Sequence, residues 1–235
     1  MIMMKIIFFL LFIFPISLFA QTEMTVGLGS GLFFFSGNYA VKKSNLFVDY
    51  ESNTSYIGNP YGAIPGVNFN ISQDVHYATK NGILLGVNLG FDYLRSITRL
   101  EQINTKAQQS EVFKSTGVFK IYDVSVMPFA GKRFKTKGLV IDVFGGAELA
   151  FPFYAEDKAD MVNRANYTIQ VTHKINVLTT DIRPTIKINA YKGDFGFFAA
   201  YSHGISNYVM GQNSGNSEVY SRLLKVGINH RLTKF

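Results

Sequence analysis

The chain of 235 residues has no cysteine, which excludes disulfides and thiolate chemistry, and it has no tryptophan. Its formal net charge of +7 comes from basic residues scattered along the chain rather than grouped among aromatic residues, so nucleic-acid binding is not expected. Hydrophobic residues make up 47% of the chain, yet no segment after the N-terminus is apolar and long enough for a transmembrane helix, which favours membrane-crossing strands.

Residues 1–20 have the pattern of a secretory signal peptide. Lys5 supplies the positive charge, an apolar run covers residues 6–14, and the small residue Ala20 precedes the expected cleavage site. An uncleaved anchor helix is the alternative, but the run is short for a span of about 20 residues. Residues 21–235 are then expected to form one domain.

Eight segments alternate apolar and polar residues with a period of two, as strands with one apolar face do. The predicted strands cover residues 23–35, 66–77, 83–95, 118–133, 139–151, 178–191, 195–208 and 219–232. In the fifth strand, for example, Val143 lies on an apolar face and Asp142 on a face that carries charges beside glycines. This pattern predicts an all-β fold, an eight-stranded antiparallel up-and-down transmembrane β-barrel with lipid outside and a polar interior.

The connections between the predicted strands alternate in length. Long polar connections are expected at residues 36–65, 96–117, 152–177 and 209–218, and the three connections between them are short turns. Outer-membrane barrels have short periplasmic turns and longer outer loops. The sequence therefore predicts a barrel in the outer membrane of a Gram-negative bacterium, with the long connections outside the cell.

Charged residues at inward-facing strand positions are the main candidate site. The set mixes both signs and contains Asp92, Asp123, Asp142, Glu148, Asp181, Arg183, Lys187, Lys225 and Arg231. Buried charges must pair, so we expect an ion-pair network, with Arg183 bound by Glu148 or Asp181 and Glu148 favoured because its strand precedes that of Arg183. Paired carboxylates used in acid–base catalysis are the alternative. Eight strands enclose only enough space for side chains, so the interior is expected to be closed to ions.

Histidines give little support to an enzyme or a metal site. The four are His76, His173, His203 and His230. No pair has metal-ligand spacing, and neither a metal nor another cofactor is expected. Lipid A deacylase, a small outer-membrane barrel, uses a histidine, a serine and an acid. A similar set in this chain is His203, Ser206, Asn207 and Glu218. His203 and Ser206 are three positions apart, which separates them on a regular strand unless a bulge intervenes.

Three short segments carry a family resemblance. Residues 122–134 read Tyr-Asp-Val-Ser-Val-Met-Pro-Phe-Ala-Gly-Lys-Arg-Phe, a strand that contains proline and ends in a basic-aromatic pair. This strand resembles one in the PorT-like outer-membrane β-barrel family, whose penultimate and last strands residues 200–207 and 221–232 also resemble. The last segment has His-Arg-Leu where the family usually has aromatic-Arg-Phe. The resemblance implies an eight-stranded outer-membrane barrel and transfers no catalytic residue.

Together these patterns predict a non-enzymatic outer-membrane barrel with a structural, adhesive or partner-binding role through its extracellular loops. The alternatives are a lipid A-modifying enzyme of the deacylase type and an accessory barrel of a secretion apparatus, which some PorT-like proteins are. The expected partners are outer-membrane lipid and lipopolysaccharide, with an envelope protein as a further candidate. The barrel is expected to be a monomer.

Overall fold

A computed structural model describes residues 22–49, 54–105, 109–111, 114–162, 168–175, 179–209 and 216–233. The predicted signal peptide, residues 1–20, lies outside these ranges. The described residues form twelve strands: β1 (Thr22–Ser36), β2 (Lys43–Asp49), β3 (Thr54–Ile57), β4 (Ile64–Ala78), β5 (Ile83–Thr105), β6 (Gln109–Glu111), β7 (Lys114–Thr136), β8 (Leu139–Val162), β9 (Thr168–Lys174), β10 (Asp181–Lys192), β11 (Phe195–His203) and β12 (Tyr220–Thr233). None of the described residues belongs to a helix long and apolar enough to cross a membrane.

Eight of these strands close into a ring. Every neighbouring pair in the order β1-β4-β5-β7-β8-β10-β11-β12, and β12 with β1, is antiparallel. The predicted eight-stranded antiparallel barrel is therefore confirmed. A path of paired residues that starts at Tyr93 on β5 and passes once around the ring returns to β5 at Ile83, ten residues away. With ordinary strand spacings this stagger tilts the strands by about 40° from the barrel axis.

The barrel has two unlike ends. Short turns join β4 to β5, β7 to β8 and β10 to β11 at the end that we call the turn end, where β1 also begins and β12 finishes. Gly82 and Gly138 have φ angles of 79° and 75° in two of these turns. L side chains rarely adopt this conformation, so glycine suits both positions.

The opposite end, which we call the extended end, differs from the prediction of long polar connections, because strands occupy much of these segments. The strands β5, β7 and β8 each continue for 23 or 24 residues, roughly twice the 9–11 needed to cross a membrane. Strand β2 pairs in parallel with β5, and β3, β6 and β9 pair with β2, β5 and β8. The prediction ended β5 at residue 95 and β8 at residue 151, about ten residues early in each strand. Beyond the predicted end of β8 the outer face becomes polar, for example at Lys158.

Apolar side chains fill both the extension and the barrel beneath it. The extension has its own core, formed by Leu46, Val48, Ile57, Leu100, Ile103, Ala159 and Val171. A second cluster closes the extended end of the barrel and includes Phe33, Phe35, Tyr61, Leu94, Phe119, Tyr208 and Leu223. A third, Leu84, Met127, Phe129 and Phe144, lies among side chains near the turn end. Polar layers of the interior therefore alternate with apolar ones.

The outer wall of the barrel exposes the apolar face of nearly every strand. Side chains that are between 41% and 72% exposed include Leu28, Leu32, Phe69, Ile71, Leu85, Ile186, Ile188, Phe197, Val226 and Ile228. These are the positions that strand alternation assigned to the outside. A folded protein in water rarely presents so large a continuous apolar surface, which suits an environment of lipid.

Candidate functional site

The centre of the interior network is Arg183 on β10, whose side chain is fully buried. Its Nη2 atom lies 2.9 Å from Asp123 Oδ2, its Nη1 atom 3.1 Å from Glu148 Oε1 and its Nε atom 2.7 Å from Asp181 Oδ2. The inward positions of three different strands thus surround one guanidinium, whose planar fork of donors suits several carboxylates at once.

Hydroxyl groups add further hydrogen bonds to two of the three carboxylates in this cluster. Tyr208 and Ser221 donate to Asp181 Oδ2 at 2.9 and 2.5 Å, and Ser202 donates to Glu148 Oε2 at 3.1 Å. Tyr208 also packs against the rings that close the extended end. This hydroxyl therefore links the ion-pair network to the apolar closure above it.

Two lysines form the next layer. Lys225 Nζ lies 3.1 Å from Asp92 Oδ2 and 3.6 Å from Glu148 Oε1, which joins it to the Arg183 cluster. Lys187 Nζ lies 2.8 Å from Asp74 Oδ2 and 5.0 Å from the centre of the Phe198 ring. Each ammonium therefore has a carboxylate partner, as a buried charge requires.

A third charged layer lies near the turn end around Arg133. Its guanidinium contacts both oxygens of Glu23, at 2.5 and 2.7 Å, and both oxygens of Asp142, at 2.7 and 2.8 Å. His76 Nε2 lies 3.4 Å from Glu23, and Arg231 Nη2 lies 3.6 Å from Asp142. Such two-pronged contacts are the strongest ion pairs that arginine makes.

The structure places all nine sequence-predicted charged residues in the interior, but it divides them between separate layers. Asp123, Glu148 and Asp181 gather around Arg183 with Lys225 beside them, whereas Lys187 pairs elsewhere and Asp142 and Arg231 belong to the turn-end layer. The sequence reasoning left out four members of the network, which are Glu23, Asp74, His76 and Arg133. Strand alternation could have found them, because each shares the parity of inward residues on its own strand.

The residues considered for catalysis or metal binding make other contacts in the structure. Ser206 Oγ accepts a hydrogen bond from the Ile182 amide, and His203 Nδ1 lies 3.3 Å from the Tyr201 hydroxyl, so the structure does not join His203 to Ser206. The Asn207 side chain forms hydrogen bonds with backbone groups of the adjoining connection. Among the described residues, no three histidine or acidic side chains gather where a metal ion could bind.

The extension presents two surface features. On β2 and β3 the rings of Phe47 and Tyr56 stack 5.3 Å apart and are 37% and 45% exposed. The Phe47 ring lies over Gly58, where an added Cβ would approach to 2.5 Å, and beside a groove of about 250 Å³ bordered by the Lys43–Glu101 pair. We call these two rings the aromatic platform.

The second feature is a basic patch on the outer faces of β5, β7, β8 and β9, formed by Arg95, Lys120, Lys158 and Lys174. Glu156 is its one described carboxylate and lies 3.3 Å from Lys120 Nζ and 3.2 Å from Lys158 Nζ. Burial alone would raise the pKa of Glu156, but hydrogen bonds from Tyr154, Lys158 and Lys120 outweigh it and hold the pKa below its usual value.

No protein-family model and no curated protein sequence matches the chain. Among solved structures, the chain is similar to Ail, the attachment invasion locus protein of Yersinia pestis, crystallised in complex with the heparin analogue sucrose octasulfate. The identity is 15% and the TM-score 0.42, over 90% of this chain and 99% of that one. It is also similar to Neisserial surface protein A (NspA), with 13% identity and a TM-score of 0.40 over 88% of this chain and 96% of that one. At these scores neither similarity informs the function of this chain.

Proposed function

We propose that this protein is a non-enzymatic β-barrel of the Gram-negative outer membrane that binds a partner through its extended end, outside the cell. The observation that carries the proposal is the extension itself. The strands β5, β7 and β8 run from the barrel into a sheet with its own apolar core, which holds the aromatic platform away from the wall. A barrel that served only as an anchor would not need this sheet.

The outer wall supports the membrane placement. Its exposed residues are apolar along the barrel, and aromatic rings mark both limits, with Tyr93, Tyr122 and Phe153 toward the extended end and Tyr77 and Phe195 at the turn end. Aromatic girdles at the two interfaces are typical of outer-membrane barrels. Export by the predicted signal peptide at residues 1–20 agrees with this location.

The interior supports a role other than transport or catalysis. Arginine and lysine side chains occupy the lumen in ion pairs, and apolar clusters lie on both sides of the central layer. We therefore propose that the network fills and stabilises the barrel. The protein is then a monomeric barrel without an open channel.

Membership of the PorT-like family forms part of the proposal. Pro128 lies outward in β7, at a point where the pairing with β8 is interrupted while the register stays the same, as expected for a residue that cannot donate to the ladder. The basic-aromatic pair that ends this segment has Arg133 in the lumen and Phe134 exposed. Co-purification with components of a secretion apparatus would favour the accessory role that some members of this family have.

Photo-crosslinking in intact cells tests the binding role. A photoreactive phenylalanine analogue replaces Tyr56 on the platform, and the matched control replaces Tyr77, which is similarly exposed at the turn end. We expect a specific crosslinked partner from position 56 and none of the same mass from position 77. The same partner from both positions, or none from position 56, would contradict the proposal. A changed lipid A mass in a deletion strain would favour the enzyme instead.

A further inference from the structure

We propose that the basic patch binds the phosphate groups of the glycolipid in the outer leaflet, and that it does so on one side of the barrel only. This inference rests on the proposed function, because it requires the extended end to emerge from the outer face of the membrane. The ligand class is a phosphorylated lipid A headgroup.

The register of the strands brings the patch together. Arg95 pairs with Lys120, Lys120 with Glu156, and Glu156 with Lys174, across four neighbouring strands. Residues opposite each other in a sheet point to the same face. Lys158 lies two positions beyond Glu156 on β8 and shares that face. Four cations therefore form a continuous outward surface.

The charges in this surface are not balanced. Glu156 is its one described carboxylate, and it already accepts hydrogen bonds from Lys120 and Tyr154. The neighbouring Asp157 lies on the opposite face, where Ile57 donates its amide to the carboxylate. An anion with several acceptor oxygens would balance the excess of cationic charge on this surface.

The position of the patch identifies the source of the anion. Directly toward the lipid-facing wall lies a cluster of rings in which Tyr93 and Tyr122 are 4.9 Å apart and Tyr122 and Tyr154 are 5.7 Å apart. Tyrosine rings at this place mark the level of lipid headgroups. Because Arg95 and Lys120 are each two residues beyond Tyr93 and Tyr122 on the same face, their side chains lie at the headgroup layer or just above it.

The opposite wall lacks such a patch among its described residues. The outward positions near its extended end include Ile182 and Ile205, both exposed. Arg222 is the nearby cation, and its Nη1 atom already donates to the carbonyl oxygens of Gly204 and Ser221 at 2.9 and 2.7 Å. Binding of phosphate is therefore expected beneath β5, β7, β8 and β9, on one side of the molecule.

Binding is measured on the full mature chain in nanodiscs of phosphatidylcholine, titrated with bisphosphorylated lipid A and separately with dephosphorylated lipid A. The test variant is Lys120→Gln/Lys158→Gln/Lys174→Gln. The matched control changes three exposed lysines near the turn end, Lys132→Gln/Lys135→Gln/Lys137→Gln. Each cation near an anionic membrane surface contributes about fivefold in affinity, so the test variant should bind bisphosphorylated lipid A about 100-fold more weakly. The control should bind it as the wild type does.

A second variant changes affinity in the opposite direction. Glu156→Gln keeps an acceptor for the Tyr154 hydroxyl but removes the negative charge, so binding should become about fivefold tighter. Heat-dependent gel mobility confirms that each variant is folded. Unchanged affinity in both the triple lysine variant and Glu156→Gln would overturn the inference, as would equal binding of dephosphorylated lipid A or full competition by inorganic phosphate. A wild-type chain that does not insert into nanodiscs would instead refute the proposed membrane barrel.

Discussion

Replacement of Arg183 by methionine should destabilise the barrel more than most single changes. Methionine keeps much of the side-chain volume but removes the one cation that contacts Asp123, Glu148 and Asp181 together. Loss of one partner from a buried ion pair costs about 3–5 kcal/mol. Because Lys225 still compensates Glu148 at 3.6 Å, two carboxylates are left unpaired, and we expect a loss near the upper end of that range.

A compensated variant separates the charge from the packing. Asp123→Asn/Asp181→Asn/Arg183→Met removes the two unpaired carboxylates together with the arginine, and it should recover most of the lost stability, since replacing a buried network with neutral groups is often tolerated. The assay is reversible urea unfolding in lipid vesicles at neutral pH. Lys80→Met, at an exposed turn, is the control and should stay within about 0.5 kcal/mol of wild type. The reasoning would be refuted if Arg183→Met stayed within about 1 kcal/mol of wild type, roughly the error of such an extrapolation, or if the triple variant recovered no stability.

Four other outcomes are expected. Ile186→Arg, in the middle of the apolar outer row of β10, should cost about 2–4 kcal/mol in vesicle unfolding, whereas Phe195→Arg at the turn end should cost about 0–1 kcal/mol; equal costs would contradict the membrane placement. Because the chain has no cysteine, an impermeant maleimide should label Gln102→Cys in intact cells but Lys135→Cys only after permeabilisation, and the reverse would invert the orientation. Planar-bilayer recordings of the purified protein should show no stable conductance; large ion-selective channels would mean an open lumen. Burial raises the pKa of Asp157, so its charged form opposes folding of the extension. Asp157→Asn should therefore slow amide exchange in β3 at neutral pH, and the wild type should become better protected as the pH falls through the raised pKa. Faster exchange in the variant would contradict this.

Strand alternation was enough to predict the barrel and the contents of its interior. A period of two assigns Asp142 and Val143 to opposite faces without any knowledge of the neighbouring strands. The same rule placed Arg183 in the lumen. It could not give the partner Asp123, which is 60 residues away on β7, a strand that does not pair with β10. The two side chains meet across the interior, and such contacts depend on the stagger of the ring.

The extension was missed for a physical reason. Membrane-crossing strands are recognised by an apolar outer face, and this signal ends where lipid ends. Beyond the predicted end of β8 at residue 151, the outer face carries Glu156 and Lys158, so the apolar outer row ends although the strand continues. The parallel pairing of β2 with β5 depends on contacts between distant segments, which no local pattern reveals.

The charged layer near the turn end has a consequence for the order in which the barrel assembles. The β7–β8 hairpin pairs residues that are close in sequence, and local pairings form sooner than distant ones. This hairpin carries Arg133 and Asp142, which bind Glu23 on the first ring strand and Arg231 on the last. Until those two strands meet, each leaves an unpaired edge that can recruit other chains. The early hairpin offers Arg133 to β1 and Asp142 to β12, which gives each strand a docking point near the seam where the barrel closes. We expect this to shorten the time for which the edges of β1 and β12 stay unpaired.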